Sequence, residues 1–167
     1  GLEILGRDFL PELRKRMHGQ LFEIHIFGAG EIHPKLKKYL TAPEVKIRGF
    51  VEDIDKEILS AKVFLCLNNA SPFKVGHTRY LHAWSLGSCV VAHKDASLSM
   101  PEIIDGMNAL LGTDISEIAD LTVKAINDSV LRTNIGEAGY QTFKECFTAQ
   151  AVVPQIIDKI NDFFAKS

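Results

Sequence analysis

The most restrictive feature of this sequence is a pair of short runs that are almost wholly apolar, Lys62-Val-Phe-Leu-Cys-Leu67 and Cys89-Val-Val-Ala92. A strand with one wet face alternates apolar and polar residues. A strand without that alternation is covered on both faces, as at the centre of a parallel sheet. Parallel strands need crossover connections, and the segments around these runs have helical spacing. Phe9, Leu10, Leu13 and Met17 predict a helix over 6–17, with Pro11 in its first turns, where a missing N–H is tolerated. Residues 21–27 alternate and stop at Gly28-Ala29-Gly30, which predicts a strand ending in a glycine turn.

The same reading predicts helices over 33–40, 54–61, 78–86 and 101–105, the second capped by Asp53, with strands over 45–50 and 109–111. From Ile115 onward the sequence reads as three helices, 115–127, 129–147 and 148–167. Strand–helix alternation with right-handed crossovers makes an α/β fold, a doubly wound and mainly parallel sheet followed by C-terminal helices. The 167 residues suit one domain.

Composition narrows the function. A net charge of −2 supplies no basic excess to displace phosphate counterions, which argues against nucleic-acid binding. No apolar run approaches the ~20 residues that span a bilayer, so no transmembrane segment is expected. Cys66, Cys89 and Cys146 are odd in number and not closely spaced; Cys66 and Cys89 lie inside apolar runs and read as small buried residues of a protein in a reducing, cytoplasmic compartment. His18, His25 and His33 lack metal-ligand spacing, and no metal site is expected.

Ligands of doubly wound sheets bind beyond the carboxyl ends of the strands. Gly28-Ala29-Gly30 stands at such an end, either as a plain tight turn or as bare backbone open to a ligand. A nicotinamide dinucleotide is disfavoured, because His33 replaces the third glycine and Gly49-Phe50 stands where a ribose-gripping acid belongs. Lys74-Val-Gly-His-Thr-Arg79 runs into a helix start. It reads either as an ordinary Thr78 cap or as a phosphate site with Lys74, His77 and Arg79 adding positive charge. Glu102 is expected in the first turn of the 101–105 helix, with Asn108 supporting the following turn, and Trp84 in the core.

Phe27-Gly-Ala-Gly-Glu31, Arg48-Gly-Phe-Val-Glu-Asp53, the Gly76–Gly87 segment with the strand after it, and Glu102-Ile-Ile-Asp-Gly-Met-Asn-Ala-Leu-Leu111 occur in an order and spacing that resemble the C-terminal half of a GT-B glycosyltransferase of group 1 (GT4-like). The resemblance covers nearly the whole chain. It implies that residues 1–167 form a single nucleotide-sugar-binding domain, a Rossmann-like half. An N-terminal acceptor-binding domain and a first strand would precede Leu2. It implies transfer of a sugar from a nucleoside-diphosphate sugar with retention and without a metal, in an enzyme that is cytoplasmic or peripheral at the inner membrane face. Gly28 and Gly30 would lie near the donor, and Gly49, Phe50 and Val51 would flank the base. Gly76, His77, Thr78 and Arg79 would take the diphosphate.

At the two positions where the family carries glutamates with seven residues between them, this chain has Lys74 and His82. Lys74 donates to sugar hydroxyls or phosphate but cannot accept, and His82 replaces the ribose contact in part. Arg79 and Lys74 are the expected catalytic residues. A degenerate binding module without catalysis, or an epimerase on the same scaffold, is the alternative. The resemblance also implies that the last helix crosses to the acceptor domain, leaving Phe163 and Phe164 outside this domain's core; the alternative is that they close that core.

Overall fold

The computed structural model describes residues 1–28, 30–68, 79–98 and 100–165. Helices α1 (Leu2–Ile4) and α2 (Leu10–Met17) are joined by a π-helical turn over Leu5–Phe9, so the first helix starts earlier than the sequence predicts. In that turn the N–H of Leu10 donates to the carbonyl of Leu5. The widened turn admits the ring of Pro11 one residue later without ending the helix.

The strands are β1 (Ile24–Phe27), β2 (Val45–Gly49), β3 (Phe64–Cys66), β4 (Val90–His93) and β5 (Leu110–Gly112). All pair in parallel, β1 with β2 and β3-β4-β5 in that order, so the hydrogen bonds run in two groups of a doubly wound core. Alternation along the strands fills both faces. Leu65, Val91 and Leu110 point to one side, where they join Phe9, Leu13 and Ile118. Phe64, Cys66, Val90, Ala92 and Leu111 point to the other, against Tyr80, Ala83 and Trp84. The absence of polar alternation in these runs follows from this two-sided burial.

Between the strands lie α3 (Pro34–Lys37), α4 (Ile54–Ser60) and α5 (Arg79–Ser85); α6 (Ile115–Asn127), α7 (Ser129–Cys146) and α8 (Ala149–Ala165) follow β5. Local caps set their starts. Asp53 Oδ1 accepts from the Lys56 N–H at 3.1 Å, Asp114 Oδ1 from Glu117 at 2.9 Å and Asp128 Oδ1 from Leu131 at 2.9 Å. Arg16 ties α2 to α6 through Asp120 and Ser116. α5 packs closely on α7, where a Cβ at Gly139 would collide with the Trp84 ring.

The helix expected over 101–105 does not form. Its place is taken by a turn, with a 3-10 helix earlier at Lys94–Leu98. The physical reason is the buried Asn108 side chain, which satisfies this backbone itself. Its Oδ1 accepts from the Ile104 N–H at 2.8 Å, and its Nδ2 donates to the Glu102 carbonyl at 2.8 Å. Glu102 is therefore not in a helical first turn. α8 contributes no buried residue; Phe163 and Phe164 are 69% and 71% exposed. They pack edge to face on each other with ring centroids 5.6 Å apart, and they do not close this domain's core.

Candidate functional site

The carboxyl ends of β1 and β2 meet at two glycines. Strand pairing slips by one residue between Ile26 and Phe27, so Phe27 faces Gly49 instead of Arg48. The Gly28 N–H then donates to the Gly49 carbonyl at 3.0 Å, carrying the pairing one step past the strand. Gly49 has φ +67°, a left-handed conformation that turns the chain outward and leaves Phe50 76% exposed beside half-buried Val51.

Gly28 and Gly30 behave differently from Gly49. Neither has a positive φ, and a Cβ at either would meet nothing within 4 Å among the described residues. Among the described residues, the missing side chains leave bare backbone facing open space at the strand edge.

The second part of the site is the start of α5. Lys74, Gly76, His77 and Thr78 lie outside the described residues, which resume at Arg79. The Arg79 side chain is exposed, and its charge is felt by the Cys66 thiol at the end of β3. Burial pushes that thiol up to about 12 despite the guanidinium. The Tyr80 hydroxyl meets the same thiol and is likewise raised by burial, so neither group ionises to compete for Arg79. Gly1 lies against the Asn68 side chain, which brings the beginning of the first helix to this same edge.

His82, one turn beyond Arg79, is engaged by a residue that the sequence reading did not single out. Its Nε2 lies 2.7 Å from Asp55 Oδ1 in the first turn of α4. Both side chains are about half exposed. The two residues are 27 positions apart and share no motif, so no local signal announces the pair. The structure thus places Gly28, Gly49 and Phe50 at the ends of β1 and β2, and pairs His82, one turn beyond Arg79 on α5, with Asp55 on α4, which follows β2 through the connection 50–53.

Among the described residues no group of three or more His, Cys, Asp or Glu side chains could hold a metal ion. No helix among them is long and apolar enough to cross a membrane.

Residues 1–128 match the family model of glycosyl transferases group 1. No curated protein matches the chain. Among solved structures, the chain is similar to Alr3699/HepE of Anabaena in complex with UDP and glucose, at 19% identity over 93% of this chain and 44% of that one, with a TM-score of 0.71. It is also similar to a TarM mutant of S. aureus in complex with UDP, Fondaparinux and alpha-GlcNAc-glycerol, at 18% identity over 88% of this chain and 30% of that one, TM-score 0.69. A glycosyltransferase from Rickettsia africae ESF-5 is 14% identical over 95% of this chain and 44% of its own, TM-score 0.71. At these identities the likeness shows the fold. The chain spans less than half the length of each of these three proteins.

Proposed function

The chain belongs to the glycosyl transferases group 1 family, and from that premise we propose that it binds a nucleoside-diphosphate sugar as the C-terminal, donor-side domain of a retaining hexosyltransferase. An N-terminal domain would hold the acceptor. The observation that carries the reading is the pair Gly28 and Gly30. Among the described residues their backbone faces open space and neither has a positive φ, and a diphosphate sugar is a ligand that approaches bare backbone.

In the proposed reaction the bond from the anomeric carbon to the diphosphate oxygen breaks, and its electron pair leaves with the nucleoside diphosphate. The acceptor hydroxyl oxygen forms the new glycosidic bond, and its proton passes to the departing diphosphate. The protein's task is to stabilise the charge that grows on the departing diphosphate. Arg79 takes that role as an exposed, permanently charged fork at the strand edge, with Lys74 supplying the second positive charge. Gly49, Phe50 and Val51 flank the base, His82 faces the ribose, and Gly76, His77 and Thr78 approach the diphosphate. No metal ion is required in this scheme.

One observation favours a second reading. Lys74 and His82 stand at the positions of the family's two glutamates, which suits a degenerate module that no longer turns over. The test is ligand-observed NMR of the protein against UDP, GDP, ADP and TDP and their sugars, with EDTA present. UDP is the first choice because the HepE and TarM structures hold it. Saturable binding of one nucleoside diphosphate is the expected result. A folded sample that binds none of them overturns the donor-domain assignment in favour of the degenerate module.

A further inference from the structure

We infer that Asp55 is a positioning residue for the nucleotide: by holding the Nε2–H of His82 it leaves Nδ1 as an acceptor for a ribose hydroxyl. The inference rests on the donor-binding reading above and adds a residue and a mechanism to it.

The argument starts from the 2.7 Å contact between His82 Nε2 and Asp55 Oδ1. An ionised carboxylate only accepts hydrogen bonds, so Nε2 must be the protonated nitrogen. In the neutral imidazole Nδ1 then carries the lone pair. Among the described residues nothing donates to that lone pair. A carboxylate fixing the far nitrogen of a histidine, so that the near one meets a ligand in a single tautomer, is a general way to orient the ring.

Asp55 is well placed to hold this position. Its helix is fixed at the start by the Asp53 cap and in the middle by buried Ile58, and Asp53 is itself paired with Lys56 at 2.7 Å. Asp53 and Lys56 are thus engaged with each other, and Asp55 is the α4 carboxylate that reaches α5. On α5, Arg79 precedes His82 by three residues, which puts the two side chains on one face about 5–6 Å apart at Cβ. With a diphosphate on Arg79, the next group of a nucleotide within reach of His82 is its ribose. A hydroxyl donating to Nδ1 completes a chain from ribose to imidazole to carboxylate.

A merely structural pair would behave differently. Two half-exposed side chains joining α4 to α5 add little to stability and nothing to ligand discrimination. The test compares affinities of UDP, GDP and ADP with those of their 2′,3′-dideoxy counterparts, for the unaltered protein, Asp55→Ala, His82→Ala and the double variant. For the nucleotide that binds, the advantage of ribose over dideoxyribose is expected to shrink about three- to tenfold in Asp55→Ala. The double variant should lose no more than His82→Ala alone. Nitrogen-15 spectra of the His82 ring should place the proton on Nε2 in the unaltered protein and show mixed tautomers in Asp55→Ala. An unchanged ribose preference in Asp55→Ala, or a proton found on Nδ1, overturns the inference and leaves the donor-binding reading standing. If no nucleoside diphosphate binds the unaltered protein, both fall together.

Discussion

Trp84 Nε1 donates to the main-chain carbonyl of Asn108 at 3.0 Å, fastening α5 to the connection that leads into β5. Both residues are buried, and the Asn108 side chain also reaches Thr142 on α7 at 3.0 Å. One residue therefore joins two helices and a turn, its main chain holding α5 and its side chain α7 and the turn. Asn108→Ala leaves the Ile104 N–H and the Glu102 carbonyl without that partner, at about 0.5–1.5 kcal/mol for each part-buried hydrogen bond lost. The urea midpoint should fall accordingly. A midpoint equal to that of the unaltered protein would show that the turn has another source of order.

Gly28 and Gly30 separate stability from binding. Because neither needs a positive φ and neither is crowded, Gly28→Ala and Gly30→Ala should leave stability unchanged or raise it by up to about 1 kcal/mol, through a less flexible unfolded chain. Nucleoside-diphosphate affinity should drop in the same variants. Melting curves alongside titrations check both halves; a fall in stability with binding intact would make the glycines structural.

Arg79→Ala should fold normally, since the side chain is exposed. Loss of a charge-assisted contact to a diphosphate should weaken nucleoside-diphosphate binding about 10- to 100-fold and flatten its dependence on salt. In the complete enzyme, turnover should fall about 10²–10³-fold. Titration at two ionic strengths is the simplest check, and salt dependence as steep as before would move the phosphate contact elsewhere.

The two buried thiols make stability fall at alkaline pH. Burial pushes Cys66 up to about 12 and Cys89 up to about 11, from an ordinary value of 9.0. Their folded pKa values are raised, so between pH 9 and those values the unfolded chain has lost protons that the native chain keeps. Stability is thus complete below pH 9 and declines as pH rises through 11 to 12. Denaturation at pH 8, 9.5 and 10.5 should show the decline, and Cys89→Ala should make it shallower. At pH 8 the half-buried Cys146 should react with a thiol reagent well before Cys66 and Cys89.

Much of the framework was legible in the sequence because it depends on neighbours along the chain. The apolar runs around Leu65 and Val91 announced strands buried on both faces, and the structure places their alternate residues in two opposite clusters. Asp53 was readable as a cap because its acceptor lies three residues from its donor. α6 occupies the predicted 115–127 for the same reason, with Asp114 at its start. Gly28, Gly49 and Arg79 were identified as edge residues by their position after strands or at a helix start.

What the sequence alone determined is most of the strands and helices and which loops lie at the carboxyl edge, since burial period and capping act over a few residues. Tertiary structure alone decided the rest. Pro11 sits inside a continuous helix because a π turn makes room for it, and 101–105 stays non-helical because Asn108 reaches back into it. Asp55 becomes part of the candidate site because the fold carries α4 to within a hydrogen bond of α5. A polar contact acts over about 3 Å in space whatever the separation along the chain, so only the assembled fold reveals which distant side chains it joins.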